Sequence, residues 1–447
     1  MGLPVSETIL DNGLNILLLE NHKAPVVSFQ VWYRVGSRNE RLGKTGISHL
    51  TEHLMFRGTK KYRPKEFSRL VKRNGGNENA FTSQDYTAYF ENIAGDRLEI
   101  LLDLESDRMT NLAVDKQAFL TERDIVMEER RLRTEDDPVS SLFEEMDSVA
   151  FRTHPYMWPI IGWMGDIGQT AYEDFKDYYR LHYRPNRATV IVVGDMEKEK
   201  LLLKIRKYFG HIKPGPEPSP VVCDEPPQRG ERRFYLKREA QLSYLLMSFH
   251  TPNLRHEDSF ALELLALILG QGKSSRLYRR LVREKQLALD INVNYPRLAH
   301  DPNLCHIFAP IMPGKTVEAV EEEIEAELEK IKRQGVTEKE LQKARNMSEA
   351  AFVFHQDSFF YQGMLLGIYH TVSNWRDLYA YLPGIAKVTA SDIKRVANAY
   401  FHKDKKNVGV LVPVLPGFSH ASAHLRKVSG KKSSQLSAIS DQPRAGE

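Results

Sequence analysis

Apolar positions along the first 35 residues fall in short blocks separated by turn residues. Thr8-Ile9-Leu10 and Leu14-Asn15-Ile16-Leu17-Leu18-Leu19 flank Asp11-Asn12-Gly13, which predicts a β-hairpin. Val26 to Val35 predicts a third strand. The apolar period then becomes helical over about 44–56, 64–74, 96–111 and 115–134, the last opening near Asp115. Strands return at Thr82–Asn92 and Ala188–Val193. Further on the same mixture recurs, with strands around 233–250 and 289–310 and helices around 257–269, 275–284, 316–333 and 337–356. In the helix around 316–333, Val317, Val320, Ile324, Leu328 and Ile331 keep helical spacing. Its acidic residues, Glu321 to Glu323 among them, are therefore expected mostly on a solvated face without function.

A proline cluster divides this pattern. Pro214, Pro216, Pro218, Pro220, Pro226 and Pro227 interrupt helix and central strand alike and predict a semi-rigid extended linker. The segments on either side are of similar size, which raises the expectation of an internal duplication. The expected division is 1–212, a linker at 213–232, a second half at 233–416, and a polar, disordered tail at 417–447. Each half is expected to be α+β, a mixed sheet covered by helices.

The chain has 447 residues, long for one ordinary core. With 63 Lys+Arg against 59 Asp+Glu, the formal charge is only +4, no nucleic-acid-scale excess. No apolar run approaches a membrane span. Met1 to Glu7 carries neither a basic region nor an apolar core, so a cytoplasmic location is expected, or a periplasmic one if an export signal has been removed. Two cysteines, Cys223 and Cys305, exclude a disulfide framework and a Cys-only metal site; the 15 histidines are the larger ligand reservoir.

The sharpest local signal is His49-Leu50-Thr51-Glu52-His53. On a helix, residues 49 and 53 leave the same face and can share one Zn²⁺. Glu52 can reach water beside that metal without being a ligand, the place of a general base. By residue counting, a chance H-x-x-E-H in this length has odds of roughly one in thirty. Catalytic zinc takes three protein ligands, so a third is needed from another element. The helix at 115–134 offers Glu122, Glu128 and Glu129. Glu122 and Glu129 are i and i+7 and share a face, whereas Glu128 points about 100° away from Glu129. A face with two carboxylates suits one ligand and one residue that orients a histidine.

These segments carry a family resemblance. Val35-Gly36-Ser37-Arg38-Asn39-Glu40, Gly46, His49, Glu52, His53, Met55, Phe56, Gly58 and Thr59 form one block. Gly75-Gly76, Asn79-Ala80-Phe81-Thr82-Ser83, Thr87 and Tyr89 form the next. Glu122-Arg123, Glu128-Glu129, His154-Pro155-Tyr156, Gly162, Tyr183-Arg184-Pro185-Asn186 and Val193-Gly194-Asp195 continue it. From about residue 6 to 415 the chain resembles the pitrilysin family of inverzincin zinc peptidases, in particular its short bacterial members and the mitochondrial processing peptidase β subunit. The resemblance implies that His49, His53 and Glu129 ligate Zn²⁺, that Glu52 is the base, and that Glu122 supports the site. It also implies that Asn79 and Ala80 bind substrate, since an edge strand can pair with an extended peptide.

The second half resembles the family's inactive repeat through Leu269 to Tyr278. Gly272-Lys273-Ser274 there is no phosphate loop, because Leu267 stands where the first glycine belongs. His250 and His256 have the wrong spacing for ligation and are expected in surface or core roles. The strand Asn303 to Phe308 lacks the Arg and Tyr with which many family members grip substrate; Tyr295 and Arg297 precede it and receive no assignment.

The expected function is thus a zinc metalloendopeptidase acting on extended or unfolded peptides. By resemblance, two subunits of this length, identical or related, pair to enclose the substrate. The alternatives are a non-catalytic structural subunit of the same fold and a narrow presequence-processing peptidase. No nucleic acid or membrane span is expected.

Overall fold

The first sheet has six strands: β1 (Ser6–Ile9), β2 (Asn15–Glu20), β3 (Val26–Tyr33), β4 (Asn77–Thr82), β5 (Thr87–Ala94) and β6 (Ala188–Gly194). Their order is β1-β2-β6-β3-β5-β4. Only β2 and β6 run parallel. The structure is a computed structural model that describes residues 4–414, so the tail expected at 417–447 lies outside the described residues.

The second sheet comprises β7 (Arg232–Glu239), β8 (Tyr244–Thr251), β9 (Asn292–Asn294), β10 (Asn303–Pro310) and β11 (Lys406–Val414), ordered β7-β11-β8-β10-β9. Only β7 and β11 run parallel. Without β1, the two sheets have the same strand order and the same directions, the mark of two homologous halves.

The span 82–92, expected as one strand, is part of a hairpin. Ser83 Oγ accepts hydrogen bonds from Asp85 N (3.1 Å) and Tyr86 N (3.2 Å) and folds the chain back between β4 and β5. This leaves β4 at the free edge of the first sheet.

In the first half the helices are α1 (Ile47–Leu54), α2 (Glu66–Arg73), α3 (Leu98–Thr110), α4 (Lys116–Arg130), α5 (Pro138–Ala150), α6 (Met164–Gln169), α7 (Tyr172–His182) and α8 (Lys198–Phe209). In the second they are α9 (Ser259–Gly270), α10 (Val317–Gln334), α11 (Glu338–His355), α12 (Phe359–Val372), α13 (Tyr381–Lys387) and α14 (Ala390–Tyr400). The carboxylate of Asp115 caps α4 by accepting from Ala118 N. On one face of the first sheet, Ile16, Phe29, Val31 and Val190 pack with Leu50, Leu54, Leu102 and Phe119.

Each half lends a helix to the other. α12 covers the opposite face of the first sheet, where Leu366 and Tyr369 join Leu17, Trp32 and Ile191 in one buried cluster. A Cβ on Gly367 would stand 2.1 Å from the Trp32 ring, so only glycine allows this approach. α5 covers the second sheet, where Leu142 and Met146 pack with Leu246, Leu304 and Leu411. Residues 212–231 contain no helix or strand, yet they are tied down. Glu225 accepts backbone N–H bonds from Arg152, Thr153 and His154.

One expectation fails here. Glu321 is not on a solvated face but buried, paired with Arg233 (2.6 Å) and Lys406 (2.7 Å). Those cations rise from β7 and β11, and a buried charge persists only when paired. Among the described residues, no helix is long and apolar enough to cross a membrane.

Candidate active site

α1 carries the His-x-x-Glu-His segment. Ile47, Leu50, Thr51 and Leu54 face inward and are buried. His49 and Glu52 remain on the other side, in the wall of a cavity of about 470 Å³. The helix opens at Gly46, whose φ of 87° lies in the left-handed region and which has no side chain to cap the first N–H groups. Buried Glu40 does so instead: Oε2 accepts from Gly46 N (2.8 Å) and Oε1 from Ser48 N (2.7 Å). Glu40→Ala is therefore expected to lower stability by about 2–4 kcal/mol in urea unfolding, with Glu40→Gln intermediate.

α4 brings Glu129 to the two histidines. Glu129 Oε2 lies 3.3 Å from His53 Nε2 and 3.9 Å from His49 Nε2. One ligand-type atom of each of the three lies within 4.8 Å of the other two, and among the described residues no other such trio occurs. Atoms bound tetrahedrally at about 2.0–2.1 Å from one zinc stand roughly 3.4 Å apart. Two imidazole nitrogens and a carboxylate oxygen at these separations fit that ion, with a position left for a further ligand.

Electrostatics treat the two histidines differently. Burial, then the charges of His53 and Arg133, push His49 down to about 3, which keeps it a neutral donor. Burial acts to lower His53 as well, but Glu122, Glu129 and Glu52 together raise it. Burial raises Glu52, and the Glu129 charge adds to this, against Thr82, His53 and Arg133. A raised carboxylate is a better proton acceptor.

The remaining expected residues fall as follows. Glu122 is buried, gripped by Arg57 on both oxygens, and its Oε1 lies 3.9 Å from His53 Nδ1. Burial acts to raise Glu122, but the nearby His53 and the hydrogen-bonded Arg57 guanidinium hold it below the usual carboxylate range. Glu128 turns away and pairs with Arg131 at 2.8 Å. Ala80 stands in the cavity wall, whereas Asn79 is exposed and outside it. Asn79 Oδ1 accepts from Ala80 N (2.9 Å), so a polar side chain already occupies that edge N–H.

Several residues at the site were not singled out by sequence reasoning. Arg57 sits one turn beyond His53, a spacing that could have flagged it. Arg133 NH1 holds the other Glu129 oxygen at 2.9 Å. Thr82 Oγ1 donates to Glu52 Oε2 at 2.5 Å. Glu144 and Asp147 of α5 add acid to the cavity wall, and α5 itself carries no motif.

The second half supplies none of the cavity lining. Tyr295 OH donates to Pro252 O at 2.5 Å. Buried Arg297 donates to Tyr369 OH (2.9 Å) and lies 3.6 Å from Glu263. His250 Nε2 donates to Ala150 O at 3.0 Å, and His256 Nδ1 accepts from Asp258 N at 3.1 Å. All four thus have partners within the fold.

Known proteins share this architecture. Residues 15–162 match the family described as insulinase (peptidase family M16), and residues 170–348 match the peptidase M16 inactive domain. The chain is 36% identical to zinc protease PqqE of Helicobacter pylori over 417 residues, 92% of this chain and 93% of that protein. The crystal structure of a protease from Helicobacter pylori has a TM-score of 0.89 at 34% identity, over 92% of this chain and 100% of that one. The structure of the peptidase M16 inactive domain from Pseudomonas fluorescens has a TM-score of 0.83 at 16% identity, over 92% and 98% of the two chains, a likeness of fold alone.

Proposed function

The chain belongs to peptidase family M16, and from that premise we propose that it is a zinc-dependent endopeptidase acting on extended or unfolded peptides. The observation that carries this reading is the convergence of His49, His53 and Glu129 on one point, with Glu52 on the same helix. Those three residues would hold Zn²⁺. Zinc there supplies Lewis acidity toward a peptide carbonyl and toward water. Glu52 takes a proton from the attacking water and passes it to the leaving amine nitrogen. Glu122 orients His53 from behind. The edge of β4 at Asn79 and Ala80 receives the peptide backbone without reading its side chains, once the Asn79 side chain releases Ala80 N. The 1–212 and 233–416 halves act as one catalytic and one non-catalytic unit across the 213–232 linker. A second subunit, a copy or a relative, closes the chamber, in the cytoplasm or the periplasm.

The test is zinc content together with hydrolysis of a quenched fluorescent peptide by the purified full chain. About one zinc per chain with cleavage supports the reading. Zinc without cleavage, unrelieved by any related subunit, supports a structural role instead.

One observation favours the narrower, presequence-processing variant of this activity. Among the described residues the Asp147 side chain has no hydrogen-bond or ion-pair partner, whereas Glu144, one turn away, is gripped by Arg130 at 2.8 and 2.9 Å. Burial, and then the Glu144 charge, push the Asp147 carboxyl up to about 8. Its negative charge is therefore complete only above that pH. A peptide with a basic residue beside the scissile bond is expected to outrun its neutral analogue, increasingly so from pH 6.5 to 9. Asp147→Asn should remove that rise in the ratio of kcat/KM values. Equal rates for the two wild-type substrates at every pH would count against basic specificity.

A further inference from the structure

We propose that Thr82 is a positioning residue for the base, linking the aim of Glu52 to the edge strand on which a peptide would lie. The inference rests on the peptidase reading above. Thr82 is the last residue of β4. Strand alternation puts its side chain on the same face as that of Ala80, and both line the cavity with Glu52. Its hydroxyl donates to Glu52 Oε2 at 2.5 Å. Glu52 Oε1 has no hydrogen-bond partner among the described residues. One oxygen is thus held and the other is open, which is what a base needs if it is to meet a water molecule in one orientation.

Thr82 is itself backed by a second threonine. Thr87 lies opposite it in the β4–β5 register. The buried Thr87 hydroxyl donates to Val35 O at 2.9 Å and stands 3.4 Å from Thr82 Oγ1. The chain of contacts therefore runs from Val35, two residues past β3, through Thr87 and Thr82, to Glu52. Thr82 keeps its proton throughout; it fixes the carboxylate and takes no part in the transfer. A glutamate has several rotatable bonds, and without this donor it can leave the productive rotamer.

The position of Thr82 has a second consequence. A peptide that pairs along β4 stiffens the strand end that carries the hydroxyl. Peptide length is then read in kcat as well as in KM. A short peptide that cannot lie along β4 leaves the strand end free to move, whereas a longer one orders it.

The test is Thr82→Val, which keeps shape and removes the hydroxyl, beside Thr82→Ser, which restores it. With wild type active, Thr82→Val is expected to lower kcat about 10–100-fold at nearly unchanged KM and zinc content, a misplacement-sized effect. Thr82→Ser should recover most of this. Lengthening the peptide should raise kcat in wild type and in Thr82→Ser but not in Thr82→Val. Wild-type kcat in Thr82→Val, an equal loss in both variants, or an undiminished length effect would each overturn the proposal. If wild type cleaves no peptide, the peptidase reading has failed and crystal structures decide the positioning role. A Glu52 carboxylate displaced in Thr82→Val but not in Thr82→Ser supports it, and an unmoved one overturns it.

Discussion

Glu52→Gln is expected to keep about one zinc per chain and to lose peptide hydrolysis by roughly 10²–10⁴-fold, the usual contribution of a positioned general base. Glutamine has nearly the same shape and can still accept from Thr82, so the cavity wall is preserved. What it lacks is a carboxylate oxygen able to take a proton. Zinc is retained because Glu52 is not among the three converging side chains. Zinc analysis and steady-state kinetics on the same preparation check both halves of the statement. Loss of zinc from this variant would move Glu52 into the ligand set, and full activity would remove it from the chemistry.

The second large effect is expected at Glu129. Glu129→Ala should strip the site of zinc and leave no measurable hydrolysis, because two histidines alone hold the ion weakly. Glu128→Ala is the control: its side chain is 57% exposed and paired only with Arg131. It should retain zinc and activity. Glu122→Gln lies between these, with zinc affinity expected to fall about 10–100-fold through loss of the support behind His53. Equilibrium dialysis against a zinc buffer ranks the three. If Glu128→Ala lost zinc while Glu129→Ala retained it, the helix would have to present its other face.

Much of this site was legible in the sequence because helices convert spacing into direction. His49 and His53 had to share a face, and the i, i+7 relation set Glu122 and Glu129 together while excluding Glu128. The edge strand at Asn79 and Ala80 was visible as a short run after Gly75-Gly76, but its hairpin partner was merged with it, since the Ser83 turn carries no Gly or Pro of its own. Thr82 and Glu40 stood in plain view and had no readable role. Their partners lie 30 and 6–8 residues away, and only the fold brings a threonine to a base or a glutamate to the start of α1. The same limit hid α5 and α12. Each buries its apolar face on the other half's sheet, so neither belongs to the core of its own sequence neighbourhood.

That exchange of helices also bears on how the chain is made. Synthesis completes β6, the last strand of the first sheet, at Gly194, but α12 ends only at Val372. At about 5–20 residues per second, one face of the nascent sheet would wait roughly 10–35 s for its cover. During that interval Leu17, Trp32 and Ile191 present an apolar surface to whatever is nearby. The first half emerging from the ribosome is thus a natural client for a chaperone, and a messenger truncated at the proline linker would yield an insoluble product rather than a smaller enzyme.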